Sequence, residues 1–404
     1  MLIDFSRYRI SPSHGFLLED PAERLPADFD LWNRLSADCC QLIQAGQLRS
    51  RLDQIPVLQP SPKLTTGESG VDQKRLLYCA HSQLTTLAAG YVWCQGEAGV
   101  PAALPEGIAR PLWEVSDRLG LRPILCHPSV VLHNWRLKDP AQPFRLDNIE
   151  TLHVKLIEER DMDYFFLVTA QLEYSFARAF RPIQLALQAV HAADQLSLIS
   201  QLNQISTVIH RLKEDLGQMY RYVRPDIFYQ KVRPYLTGYN SDPFQHQGGI
   251  VFRGVSDTPI CLAGGSAAQS SIFHTLDAFL GIEHGPSGAP FLREMISYMP
   301  PQHAAFLDWL RRASTVSEFV RSEKALPELG QAYNRCIEAL TAFRTAHIQL
   351  VTSYIINQKN RSTASGSQSV NRYLENHGTG GTPMMPFLKA IRDESKAGLI
   401  CKDD

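Results

Sequence analysis

The strongest constraint on this chain is the recurrence of apolar residues at intervals of three and four, the period that returns side chains to one face of an α-helix. The pattern is plain in residues 30–55, "DLWNRLSADCCQLIQAGQLRSRLDQI", and again in 73–94, 163–190 and 194–223. A last long segment, 328–358, carries Leu340, Phe343, His347, Leu350 and Tyr354 on one stripe. Pro182 is expected to break or kink the 163–190 segment, because it removes a helical N–H and crowds the preceding turn. The alternation that strands need is scarce. Its best instance is "PILCHPSVVLHNW" (123–135), so strand is expected for only about 5–10% of the chain. The predicted class is all-α.

A chain of 404 residues, 44% hydrophobic and 20% charged, can bury a sizeable core in two or three domains. Its net charge of −1 gives no electrostatic footprint for nucleic acid. No segment reaches the roughly 18 apolar residues that span a bilayer, and "MLIDFSRYRI" has no signal-like apolar run. A cytoplasmic protein without a membrane partner is expected. The eight cysteines lie in no CxxC pair or zinc-like spacing, so reduced, buried thiols are expected.

Four places could carry chemistry. His347 is a histidine on an apolar stripe: either a hydrogen-bonded core residue or a haem axial ligand, which needs a neutral imidazole in an apolar cavity. Arg344, one turn before it, could pair with a propionate or a carboxylate. Arg233, in "FYQKVRPYLTGY", follows Phe228 and Tyr229. It is either a surface arginine with a buried stem or a clamp for a small carboxylate among aromatic rings. "AGGSAAQSS" (263–271) precedes a helix and could be a simple capping run. "NHGTGGTPMMPFLKAIRD" (376–393) puts Gly378, Gly380 and Gly381 ahead of another helix, with Thr382 as a candidate cap. It is either a capped entrance or a close backbone approach to a ligand. His127 and His133, six apart without a third ligand, do not make a metal site.

In this order these fragments resemble the indoleamine 2,3-dioxygenase family, the haem enzymes that open the indole ring of tryptophan. The resemblance covers nearly the whole chain and includes "GFLLEDPAERLP", "LIQAGQLRSRL", "AYNRCIEALTAFRTAHIQLVTSYI", "YMPPQH" and the two glycine-rich stretches. It implies an all-α fold, with a smaller, mostly helical N-terminal domain (1–156), a large helical haem domain (157–404) and a mobile loop at about 359–382. It implies haem b, ferrous in the active state, with His347 as proximal iron ligand and Asp277 paired to Arg344 beside a propionate. Gly265, Ser266 and Ala267 would line the pocket beside the haem. Phe165 would pack on the indole, Phe228 and Arg233 would hold the amino acid, and Thr379 would close over its ammonium and carboxylate. No residue is implied as acid or base. The substrates would be L-tryptophan and O2, the product N-formylkynurenine, and the enzyme a monomer.

Several positions depart from the family pattern. His127 stands where tyrosine is common, Val130 where cysteine is, Thr169 where serine is, and Tyr229 where phenylalanine is. His127, Thr169 and Tyr229 concern the ring environment of the substrate; they leave iron and carboxylate recognition intact but put the identity of the indole in doubt. Two other readings stay open: a haem oxygenase acting on another indole, and a haem sensor or helical binding protein without turnover.

Overall fold

The computed structural model describes residues 3–60, 64, 70–364, 377–381 and 383–400. The chain is 62% helical, as the apolar periodicity requires. Strand is scarcer than expected. Among the described residues it amounts to four two-residue strands: Ala103–Leu104 paired parallel with Val251–Phe252, and Arg136–Leu137 paired antiparallel with Ile149–Glu150. The strand-like 123–135 stretch contains none. Its centre, Pro128–Leu132, is instead a π-helical turn.

The segment 30–55 divides into three short helices, Asp30–Ala37, Cys39–Gln44 and Leu48–Leu52, around the buried Gly70–Trp93 helix. The 163–190 segment breaks earlier than Pro182. The helix Asp161–Phe176 ends in a 3₁₀ turn at Ala177–Ala179, and Phe180–His191 then carries Pro182 in its first turn. There the missing N–H would have had no helical partner anyway, so the proline starts a helix rather than breaking one.

The scaffold of the site is the Pro327–Val351 helix, which packs along Gln195–Gly217 on one side and along the C-terminal helix Met384–Lys396 on the other. One apolar core runs from Ile10 to Met384, through both the first 156 residues and the rest. The stretch expected to be mobile, 359–382, starts as helix (Asn357–Ala364) and is placed again at 377–381. Its middle and the proposed cap Thr382 lie outside the described residues. The helix begins after Pro383, which supplies no side-chain cap.

Four of the cysteines, Cys39, Cys79, Cys126 and Cys336, are free and buried as expected. Cys40 and Cys94 are half-buried, and Cys261 is exposed.

Candidate active site

Three π-helical turns shape one cavity: Pro128–Leu132, Phe228–Val232 and Thr352–Ile356. A π turn bonds each N–H five residues back, as Arg233 N–H does to Phe228 O. In a regular α-helix residues five apart would point about 140° apart. The wider turn brings both Phe228 and Arg233 onto the cavity wall, and Pro234, which has no N–H to give a regular helix, follows at once. The other two turns contribute Val130 and Val131, and Tyr354 and Ile355.

The cavity, about 190 Å³, is also lined by His127, Phe165, Thr169, Gly265, Ser266, Ala267, His347 and the segment Gly378–Gly380. Of the side chains singled out in the sequence, it thus gathers His347, Arg233, Phe228, Phe165, Thr169, His127, Ser266, Ala267 and Thr379. A smaller cavity of about 60 Å³ adjoins it, sharing His347 and Ala267 and adding Phe273, Asp277 and Arg344. Tyr229 lines neither. Its ring lies 5.9 Å from the Arg233 guanidinium carbon.

His347 sits deep in the molecule yet keeps accessible surface, because it faces the cavity. Its ring nitrogens make no hydrogen bond among the described residues, and burial pushes its pKa down to about 4, so the imidazole is neutral. One turn earlier, Arg344 Nη2 donates to both carboxylate oxygens of Asp277, at 2.9 and 2.7 Å. Burial alone would raise the Asp277 carboxyl. Arg344 and the hydrogen-bonded His284 outweigh it and hold the group at about 2. His284 spans Asp277 (2.9 Å) and Glu394 (2.8 Å), tying this pair to the C-terminal helix.

Arg233 is fully buried, and burial lowers its pKa to about 10, which leaves it charged at neutral pH. The two glycine-rich stretches meet at its side of the cavity. Gly264 N donates to Thr379 O at 3.2 Å, the Thr379 hydroxyl donates to Gly265 O, and Asn240 Nδ2 donates to Gly380 O at 3.2 Å. A Cβ on Gly264 would lie 2.7 Å from Thr379 O and 2.2 Å from Leu236 O, so only glycine permits this approach. Ser266 and Ser270 are also caps, accepting Ala268 N–H and Ile272 N–H. The stretch "AGGSAAQSS" thus caps the turn and helix that follow it, and its Gly265, Ser266 and Ala267 also line the cavity.

Two features escaped the sequence reading. The π turns have no signature beyond a nearby proline. Glu173 was missed although it lies four residues beyond Thr169 and eight beyond Phe165, on the helical face turned to the cavity.

A helical protein that aims a neutral, unpartnered imidazole and a charged guanidinium into one apolar cavity has the form of a haem protein that holds a small carboxylate. The comparisons make this specific. Residues 4–398 match the family model described as indoleamine 2,3-dioxygenase. Indoleamine 2,3-dioxygenase 2 of Mus musculus is 36% identical over 400 residues, 99% of this chain and 96% of that protein. Indoleamine 2,3-dioxygenase of Saccharomyces cerevisiae is 33% identical over 439 residues, 98% of this chain and 94% of its own. A myoglobin of Haliotis diversicolor is 36% identical over 394 residues, 98% of each chain. The chain belongs to the indoleamine 2,3-dioxygenase family, whose cofactor is haem.

Proposed function

We propose that this protein is a haem-dependent dioxygenase that inserts both atoms of O2 across the indole C2–C3 bond of L-tryptophan, giving N-formylkynurenine. The observation that carries the reading is the single cavity walled by His347 on one side and by Arg233, Phe228 and Phe165 on another. The residues fit haem: a neutral imidazole without a competing hydrogen bond, apolar walls, and Arg344, already oriented by Asp277, in the adjoining space. His347 would hold the iron, and Arg344 would stand by a propionate. When bound, the haem supplies the centre at which dioxygen is activated.

What the protein adds is position. Arg233 takes the substrate carboxylate in an ion pair whose attraction the buried, low-dielectric site strengthens. Phe165 and Phe228, 4.7 Å apart at their centroids, hold the apolar body. The segment 377–381 acts as a lid that excludes water, with Thr379 at its tip. No acid or base is required. Thr169, Thr379 and Tyr354 give their hydroxyl protons to main-chain carbonyls, of Phe165, Gly265 and Val223 respectively.

In this reading the chain divides into a smaller part, 1–156, and a larger haem-holding part, 157–404, with cavity residues drawn from both. The site is complete within one chain, which supports a monomer, and the free cysteines support a cytoplasmic location. Among the described residues no helix is long and apolar enough to cross a membrane.

A second reading, a haem protein without turnover, is favoured by one observation, the full-length similarity to a protein named myoglobin. One experiment separates them. Reduced, haem-loaded protein mixed with L-tryptophan and air should form N-formylkynurenine over many turnovers. A haem spectrum without product would leave the second reading standing.

A further inference from the structure

One polar group on the cavity wall is neither engaged with the main chain nor used above. His127 Nε2 lies 2.8 Å from Glu173 Oε1, and both side chains are buried, Glu173 completely. Ser270 Oγ, which accepts Ile272 N–H, gives its own proton to the same Glu173 oxygen at 2.7 Å. The main chain of His127 is fixed as well, its backbone N–H donating to Gln269 Oε1 at 3.0 Å.

This arrangement sets the tautomer. Glu173 Oε1, which already takes the Ser270 proton, is the acceptor toward His127, so in the neutral imidazole the proton sits on Nε2 and Nδ1 carries a lone pair. Nδ1 makes no hydrogen bond among the described residues. The buried unpaired atoms include Nδ1 of His133 and of His303 but not that of His127, whose ring lines the cavity. The helix Asp161–Phe176 gives its position. Phe165, Thr169 and Glu173 succeed each other at single turns, so Glu173 lies about 12 Å along the axis from Phe165, which packs on Phe228 near Arg233. His127 therefore stands at the end of the cavity away from the carboxylate clamp. A substrate held by Arg233 turns its ring, not its amino-acid group, toward it. The other polar departures have no such freedom: Thr169 Oγ1 donates to Phe165 O at 2.9 Å, and Tyr229 is off the cavity wall.

We infer that His127 is a specificity-determining residue, oriented by Glu173 and Ser270, whose Nδ1 accepts a hydrogen bond from a hydroxyl on the benzo ring of the indole, so that ring-hydroxylated tryptophans are preferred substrates. The inference rests on the tryptophan-binding reading above and deepens it. A buried acceptor built to receive a proton discriminates against an analogue that brings none, because it is then left unpaired.

The test compares 5-hydroxy-L-tryptophan with 5-methyl-L-tryptophan, matched in size but lacking the donor, in the haem-loaded enzyme. Both kcat/KM and the dissociation constant from calorimetry are measured. In the unaltered enzyme the hydroxyl compound should be favoured by about tenfold in each. The preference should fall at least about fivefold in His127→Phe. It should persist in Glu173→Gln, whose amide oxygen still accepts from Nε2, and be lost in Glu173→Leu. Equal use of the two compounds by the unaltered enzyme overturns the inference, even if every variant misfolds. So does a ratio unchanged in His127→Phe, which would mean that the histidine serves all indoles alike. Failure of the dioxygenase reading would look different: none of these compounds, nor tryptophan, would be turned over.

Discussion

The Arg233 guanidinium donates to the main-chain carbonyl of His377 at 2.7 Å, so the side chain offered to a substrate carboxylate also holds the glycine-rich segment over the cavity. In the proposed reading, substrate capture and lid position are coupled through this one group. Replacing Arg233 by leucine removes both. A buried carboxylate that loses its charged partner costs about 3–5 kcal/mol, so kcat/KM for L-tryptophan should drop about a hundredfold or more with haem content unchanged. A drop of less than about threefold would show that Arg233 does not hold substrate.

Gly264 tests the lid separately. A methyl group there cannot fit against Thr379 O and Leu236 O, so Gly264→Ala should force the two glycine-rich stretches apart. We expect a raised KM and faster escape of partly reacted substrate, with the haem spectrum preserved. Wild-type kinetics in a folded variant would mean that the contact between these stretches has no part in turnover.

Much of this was readable in the sequence, for identifiable reasons. Helical periodicity marked the long helices because each buries one stripe, and the stripe through Leu340, Phe343 and Leu350 carried His347 with it. The exact course of the backbone was less legible. Pro182 was a poor guide because a proline in a first turn and a proline that breaks a helix look alike in one dimension. The 123–135 stretch read as strand because its valines and leucines are buried on every side, and periodicity cannot separate a buried turn from a buried strand. The π turns, which aim Phe228 beside Arg233, depend on a local choice of hydrogen bond that residue types barely encode. Glu173 was hidden for another reason: a carboxylate flanked by leucine and tyrosine in a helix is ordinarily a solvent-facing residue, and its burial is explained by His127 and Ser270, both distant in sequence.

Stability should depend on pH through buried histidines that do not line the cavity. Burial lowers the pKa of His81 and His153 to about 4 and that of His303 to about 3, from an ordinary 6.5. Each is neutral when folded and takes up a proton more readily when unfolded. Their contribution is therefore complete above the unfolded value and is lost as pH falls from about 6.5 toward 4. His284 works the other way, since Asp277 and Glu394 raise its pKa against burial, and its contribution fades as pH rises through that value. The thermal midpoint of the haem-free protein should fall steeply between about pH 6.5 and pH 4. A flat midpoint across that range would contradict the neutral assignment.

His347→Ala should abolish stable haem binding, since only packing and propionate contacts would remain. The purified variant should lack the Soret band and retain its helical content. A full complement of haem would show that another residue holds the iron.

The central claim is dioxygenation of an indole, and isotopic labelling tests it most directly. Ferrous, haem-loaded protein is supplied with L-tryptophan under dioxygen carrying the heavy oxygen isotope, and the product is weighed by mass spectrometry. The account predicts N-formylkynurenine with both inserted oxygen atoms labelled. A product bearing a single labelled atom would instead make the protein a monooxygenase and contradict the account.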